Sequence, residues 1–379
     1  MPWRETSAMG QRTDMVQEVL GRKRPVGEIA AKYGVSRTVV HRWLKRSWAE
    51  GVAGMGDRSR RPLCSPRRTP ASVEEVVCAL RGKRETWGPE KLHRCLQRKG
   101  VEGLCSGRTV GRILQRCGKV APREGPPAAE CHCFERPGPN ELWQLDFKGH
   151  LHLPVYPPLR VLPMSIEDDH SRFALTLRAN GDCQLPTVWG VLWEVFGEYG
   201  LPQAILTDND TVFRGHTGAV TTWTARLWRL GIAHLSGRPY PPQTQGKVER
   251  LHGTLQQDVL KRQRFHSLEE LQAALDAFRE TYNHERPHAA LELDVPAEHY
   301  RPSPRPAQLP PVEYPEGAVL RKVWRNGAIK VRGCRLHVGE GLAGEQVQLE
   351  DRGEGLRLQH AGHSVREVLW DQLRRDQWV

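Results

Sequence analysis

The chain has no apolar run of membrane-spanning length, which would need about 20 predominantly apolar residues. No secretory leader opens it either, so a soluble cytoplasmic protein is expected. Its nine cysteines are odd in number and contain no CxxC pair, which argues against a disulfide framework and for a reducing compartment. Cys131-His132-Cys133 crowds three metal-ligating residues together. No second pair follows at finger spacing, so a zinc site is not expected there. Acid is scarce at one end. Residues 1–120 hold 26 Lys and Arg against 11 Asp and Glu, whereas the rest hold 30 against 33. The net charge of +12 therefore originates in the first third, as expected for a segment that neutralises nucleic-acid phosphates. A solubilising basic face is the plainer alternative. At 379 residues, several domains and an ample core are possible.

Within that basic third, VGEIAAKYGVSRTVVHRWLKR reads as helix, turn, helix. Ala30, Gly34 and Val40 supply the small, turn and core positions. Gly34 is free to take the left-handed conformation that ends the first helix, and Ser36 suits the cap of the second. Val39, Val40, Trp43 and Leu44 would face inward, leaving Arg37, Thr38, His41, Arg42 and Lys45 outward. That outward set joins phosphate-binding cations to side chains able to reach base edges in a major groove. An ordinary helical hairpin would share the pattern. Beyond a basic linker, residues 73–81 and 89–98 look helical, with Pro89 suited to a first turn. SGRTVGRILQRCG then repeats the scheme, with Ser106 as cap and Arg108, Thr109 and Arg112 outward.

Three carboxylates close or follow apolar stretches far apart in the chain. Asp146 lies in ELWQLDFKG, Asp208 in TDND after Ala204-Ile205-Leu206, and Glu249 in QGKVER, opening a helix. Isolated acids are common and usually solvated. Acids at element ends, however, are what a protein needs to hold two divalent metals on a phosphodiester, and hard oxygen donors suit Mg²⁺. The surrounding words make this case specific. WQLDFKG, IEDDHSRF, LTDND, RPYPPQTQGKVERLHGTL and YNHERPHAAL, in that order over roughly residues 139–300, resemble the integrase-core transposases of bacterial insertion sequences. That superfamily shares its catalytic domain with retroviral integrases and has an RNase H-like fold.

The resemblance implies an acidic triad of Asp146, Asp208 and Glu249 that is both catalytic and metal-binding. Intervals of 61 and 40 residues separate the three. The second is slightly longer than usual, with an insertion expected around residues 214–218, and Asp210 stands where the family usually has Gly. It implies two Mg²⁺, with Mn²⁺ as a substitute, Asp146 and Asp208 bridging them and Glu249 completing one shell. Hydrolysis would free a 3′-OH at an element end, and that 3′-OH would attack a target strand. Double-stranded DNA is the implied partner, with a homo-oligomer assembled on it in the bacterial nucleoid. No membrane is involved.

The remaining residues fill in this scheme. A buried first strand should lead to Asp146, and two strands should flank a turn at Asp168-Asp169-His170-Ser171, where Asp and Ser bond locally rather than ligate metal. Residues 184–199 should form a helix with Val188, Val191, Leu192, Val195 and Phe196 on one face. Ala204–Leu206 should be a strand delivering Asp208 at its carboxyl end, where open α/β sheets place ligands. Trp223–Leu230 reads as a helix, residues 231–234 as the exit of a strand, and residues 238–246 as a mobile loop. Lys247 and Arg250 flank Glu249 without sharing its helical face, and both are expected to meet DNA phosphate. His252 does share that face. The closing YNHERPH segment reads as structural. After a Pro-rich linker, alternating runs suggest a small β-barrel, with Asn326-Gly327 as a two-residue hairpin.

The expected organisation is multidomain. A helix-turn-helix domain (1–56), a basic linker (57–71) and a second helix-turn-helix domain (72–120) make the α-helical part. A Pro-rich linker (121–138) leads to an α/β RNase H-like core (139–300), then a linker (301–312) and a small all-β barrel (313–379). The expected activity is transposition of the chain's own element. Alternatives are an inactive or domesticated DNA-binding regulator, a nuclease without strand transfer, or a structural nucleoid protein.

Overall fold

Basic, amphipathic helices open the chain and an apolar sheet forms its middle. The computed structural model describes residues 7–22, 24–59, 68–120, 135–155, 157–208, 210, 212–213, 219–236 and 246–373. Cys131-His132-Cys133, the expected insertion at 214–218 and the expected loop at 238–245 lie outside the described residues. Two compact units divide between Arg68 and Thr69, inside the basic linker.

The first unit holds α1 (Ala8–Leu20), α2 (Val26–Lys32) and α3 (Arg37–Glu50). Gly34 takes φ +63°, and the Ser36 hydroxyl accepts from the Val39 amide, so turn and cap form as the sequence predicts. Ile29, Ala30, Val40, Trp43 and Leu44 close the core with Met15, Val16 and Met55. Three of these lie on α3 and point the same way, which fixes its opposite face toward solvent.

The second unit begins with α4 (Ala71–Lys83), α5 (Pro89–Arg98) and α6 (Gly107–Arg116). Val77, Trp87, Leu92, Leu96, Val110, Ile113 and Leu114 form their core. Ser106 sits at the start of α6 but caps no backbone amide; its hydroxyl bonds the Thr109 hydroxyl instead.

The central sheet is built from β1 (Trp143–Phe147), β2 (Leu151–Leu153), β3 (Leu159–Asp168), β4 (Ala174–Asn180), β5 (Ala204–Thr207) and β6 (Ala233–Ser236). Strand β3 pairs antiparallel with both β1 and β4, while β5 runs parallel to β1 and β6 parallel to β5. The order β4-β3-β1-β5-β6 is the RNase H-like arrangement. Residues 231–234 lead into β6 rather than out of a strand, because the turn at Gly231 (φ +64°) follows a helix. Helices α7 (Leu185–Tyr199) and α8 (Thr222–Arg229) cover one face, burying Val188, Leu192, Phe196 and Trp223. Helices α9 (Gly246–Leu255) and α10 (Leu268–His284) cover the other, through Leu251, Leu255, Leu271 and Leu275. A short α11 (Pro296–His299) follows.

The C-terminal part is all-β: β7 (Val319–Lys322), β8 (Ala328–Val331), β9 (Cys334–His337), β10 (Gln346–Asp351), β11 (Gly355–His360) and β12 (His363–Leu369). Its ladders are a four-stranded sheet β12-β11-β10-β7 and a separate β8-β9 ribbon around one apolar core. Asn326-Gly327 turns the chain but joins no paired strands, since β7 pairs with β10. The two-residue hairpin is Arg332-Gly333, between Val331 and Cys334. Both of its residues have positive φ, as that turn type requires.

Candidate active site

Strand β1 is central, pinned by β3 on one edge and β5 on the other, so Asp146 rides on rigid backbone. Asp208 follows Thr207 at the carboxyl end of β5. The Thr207 hydroxyl is wholly buried and contacts Nε2 of His234 at 2.9 Å. Burial holds His234 down at about 4, so at neutral pH this clamp is an uncharged hydrogen-bonded pair. The Asp210 amide donates to Asp208 Oδ1 at 3.1 Å, a local turn in which the residue that replaces the usual Gly orients the carboxylate.

Helix α9 packs across β1 and β3 and carries the third acid. His252, on α9, lies 3.6 Å from Asp146 Oδ2 through Nδ1, and its Nε2 contacts the Ser165 hydroxyl at 2.7 Å. Ser165 also donates to the Asp146 carbonyl. Glu249 is three residues before His252, on the same helical face, and is exposed. Asp146 feels its neighbours: burial first, then the charge of Asp208 and, more weakly, that of Glu249 push its carboxyl up to about 7. Burial also raises Asp208, with Asp210 adding to it and the Asp210 amide opposing. Carboxylates crowded in this way are relieved by a cation.

Among the described residues, no three His, Cys, Asp or Glu side chains form a ready-made metal cage. The donor set nevertheless fits Mg²⁺, which keeps several waters and substrate phosphate in its shell and needs only one or two carboxylates from the protein.

The other expected site residues divide clearly. Arg37, Thr38, His41, Arg42 and Lys45 are all exposed on α3; Arg108 and Arg112 are exposed on α6, and Thr109 is half-buried. Lys247 does not present itself to DNA. It is 8% exposed, and its ammonium bonds the Asp169 carboxylate at 2.7 Å and the Asp169 carbonyl, because its position on α9 turns it inward. Arg250, by contrast, is exposed. Asp168 closes its own turn by accepting from the amide and hydroxyl of Ser171, as local bonding predicts. Asn283 bonds both backbone groups of Ala174, so the closing motif is structural.

Sequence reasoning missed Asn140 and Ser165. Asn140, at φ +64°, ties Trp143, Tyr300 and Asp168 together and so sets the entry of β1. Only its place before an apolar strand hinted at this.

Comparison with known proteins agrees with the geometry. The Integrase core domain profile matches residues 230–296, a Helix-turn-helix domain profile residues 11–62, and a Homeodomain-like domain profile residues 39–114. The chain is 23% identical over 323 residues to a 39.2 kDa protein of insertion element IS476 from Xanthomonas euvesicatoria, covering 78% of this chain and 89% of that one. It is 27% identical over 176 residues to a protein assigned as the transposase of insertion sequence element IS5376 from Geobacillus stearothermophilus, covering 45% and 44%. The chain therefore carries an integrase core domain together with helix-turn-helix domains, and its relatives include proteins of bacterial insertion sequences. Similarity reaches further, to the Gag-Pro-Pol polyprotein of Sheep pulmonary adenomatosis virus, at 32% identity over 130 residues. That match takes in 34% of this chain but only 7% of the polyprotein. The family profile includes Glu249 and stops short of Asp146 and Asp208. Among the described residues, no helix is long and apolar enough to cross a membrane.

Proposed function

We propose that this chain binds the ends of its own insertion sequence and catalyses 3′-end cleavage of DNA followed by strand transfer into a target. One observation carries the reading: Asp146, on the central strand, feels the charges of both Asp208 and Glu249, acids delivered by a neighbouring strand and by a helix packed across the sheet. Asp146, Asp208 and Glu249 are the residues that would hold divalent cations. When bound, two such ions activate an attacking oxygen and stabilise a leaving one in an in-line displacement, which suits hydrolysis and 3′-OH attack alike. The protein's own part is positional. Ser165 bonds the Asp146 carbonyl, an uncharged His252 packs beside the Asp146 carboxylate, the Asp210 amide bonds Asp208, and α9 carries Glu249. The exposed faces of α3 and α6 supply cations for phosphate and side chains for base edges. Joining two ends calls for an assembly of copies on DNA, within the bacterial nucleoid.

The test uses labelled oligonucleotides carrying the inverted repeats that flank the gene, incubated with the full chain and Mg²⁺ or Mn²⁺. Wild type should cleave 3′ ends and join them, and Glu249→Gln should do neither. Asp208→Asn should likewise lose both steps while binding ends normally. Cleavage retained in either variant rejects the triad. Tight binding without cleavage by wild type favours a DNA-binding regulator instead.

A further inference from the structure

The second helical unit is docked on the catalytic core. Arg84 pairs with Glu285, Arg94 with Asp294 at 2.7 Å, and Arg98 makes two bonds to Glu298. Arg262 of the core returns a contact to Glu85. This docking closes a cavity of about 460 Å³ between α5, the start of α9 and the segment after α10. Five cations line it: Lys91 from α5, Arg172, Lys247 and Arg250 from α9, and Arg286; Glu135 and Glu167 are the acids.

Pairing accounts for three of the five. Arg172 meets Glu135 at 3.2 Å, Lys247 meets Asp169 at 2.7 Å and Arg286 meets Asp258 at 2.7 Å. Lys91 and Arg250 have no ion pair among the described residues. Glu167 does not offset them: burial pushes its carboxyl up to about 8, so it is neutral at neutral pH. Burial first, and then the charge of Arg286, pull the Lys91 ammonium down to about 8, as expected of cations held together without enough counter-charge. The cavity also takes in Gly246 and Thr254, so it adjoins the helix that carries Glu249, one residue before Arg250.

We propose that this cavity is a phosphate seat, in which Lys91 and Arg250 hold a backbone phosphate of the DNA strand running between the second helical unit and the acidic triad. The proposal rests on the DNA-processing reading given above. It assigns Lys91 a role that only the docked arrangement creates, because α5 alone supplies one cation and α9 the other. An oxyanion of this kind could come from DNA or from free inorganic phosphate, and the test separates the two.

The full chain, kept in chelator so that no cleavage occurs, is titrated with a fluorescent duplex of mixed sequence over a range of salt concentrations. Each neutralised phosphate contributes about −0.9 to the slope of log affinity against log salt. Lys91→Gln and Arg250→Gln should each make that slope shallower, the two together by about one contact, and Lys91→Arg should restore it in place of Lys91→Gln. The melting temperature should not fall, since neither side chain is paired. A Lys91→Gln, Arg250→Gln double variant with the wild-type slope overturns the proposal. Inorganic phosphate that stabilises wild type and its DNA complex alike against heat, but not the double variant, overturns the DNA assignment. Glu249→Gln should keep the wild-type slope. A Lys91-dependent slope in a chain that never cleaves DNA would therefore sink the catalytic reading and leave the phosphate seat standing.

Discussion

Glu167 offers a direct measure of how the core treats charge. It sits on β3, 1% exposed, and its Oε1 accepts from the Tyr282 hydroxyl at 3.1 Å. Burial lifts its carboxyl to about 8 from an ordinary 4.5, with Arg172 the largest opposing influence. The folded protein therefore keeps a proton that the unfolded chain has already released. Between about pH 4.5 and 8, stability must fall as pH rises, at about 1.4 kcal/mol per unit. The full effect has a ceiling of about 5 kcal/mol, and about 2–3 kcal/mol of it should be visible between pH 6 and 8. Glu167→Gln keeps the acceptor for Tyr282 and removes the titration. Urea unfolding of the core, followed by tryptophan fluorescence, should show wild type losing ground to the variant over that interval. Asp146 is also raised, but it is common to both proteins and drops out of the difference. Parallel pH profiles for the two would refute the reasoning and mean that Glu167 stays ionised against Arg172 and Lys247.

Three other perturbations read different parts of the structure. His252→Ala removes the ring beside Asp146 and the partner of Ser165, and should cut 3′-end cleavage by about 10–100-fold with end binding unchanged in the same gel; undiminished cleavage removes His252 from the site. Trp87, 1% exposed and stacked near Arg84 and Arg286, fills the joint between the second helical unit and the core. Trp87→Ala should cost about 3–5 kcal/mol, seen by circular dichroism as earlier loss of helix. Gly341 has the backbone of Thr221 where a Cβ would go, so Gly341→Ala should destabilise by about 1–3 kcal/mol; a melting temperature equal to wild type would show that the C-terminal part shifts freely on α8.

Local pattern carried the elements well, because each depends on neighbours in sequence. The five apolar residues expected on one face of α7 are the ones it buries, and the Gly34–Ser36 turn forms with the expected φ and cap. Asp208 arrives at the carboxyl end of β5, as its apolar run predicts. Errors arose where a local signal had to be matched to a distant partner. Asn326-Gly327 has the composition of a hairpin, but Gly327 is needed because Gly339 and Glu340 pass against it, and β7 takes its hydrogen bonds from β10. Lys247 looked like a phosphate contact because of its neighbours in sequence; the Asp169 carboxylate that claims it lies far away in the chain.

The docking of the second helical unit shows why charge counts conceal this kind of information. The excess of cations in residues 1–120 suggests that all of them are available to DNA, yet Arg84, Arg94 and Arg98 are committed to acids of the core. Of those acids, Glu285 belongs to the closing segment that reads as merely structural, and Asp294 and Glu298 lie beyond it. Each such half-exposed pair contributes about 0.2–1 kcal/mol and is screened by salt, so their value is less in stability than in orientation. With the arginines of α5 held on the core, α6 keeps Arg108 and Arg112 exposed, and Lys91 is left unpaired beside the helix of Glu249. One element then orients two cationic surfaces, the α6 face and the cavity, relative to the acids, a relation that no single motif in the sequence encodes.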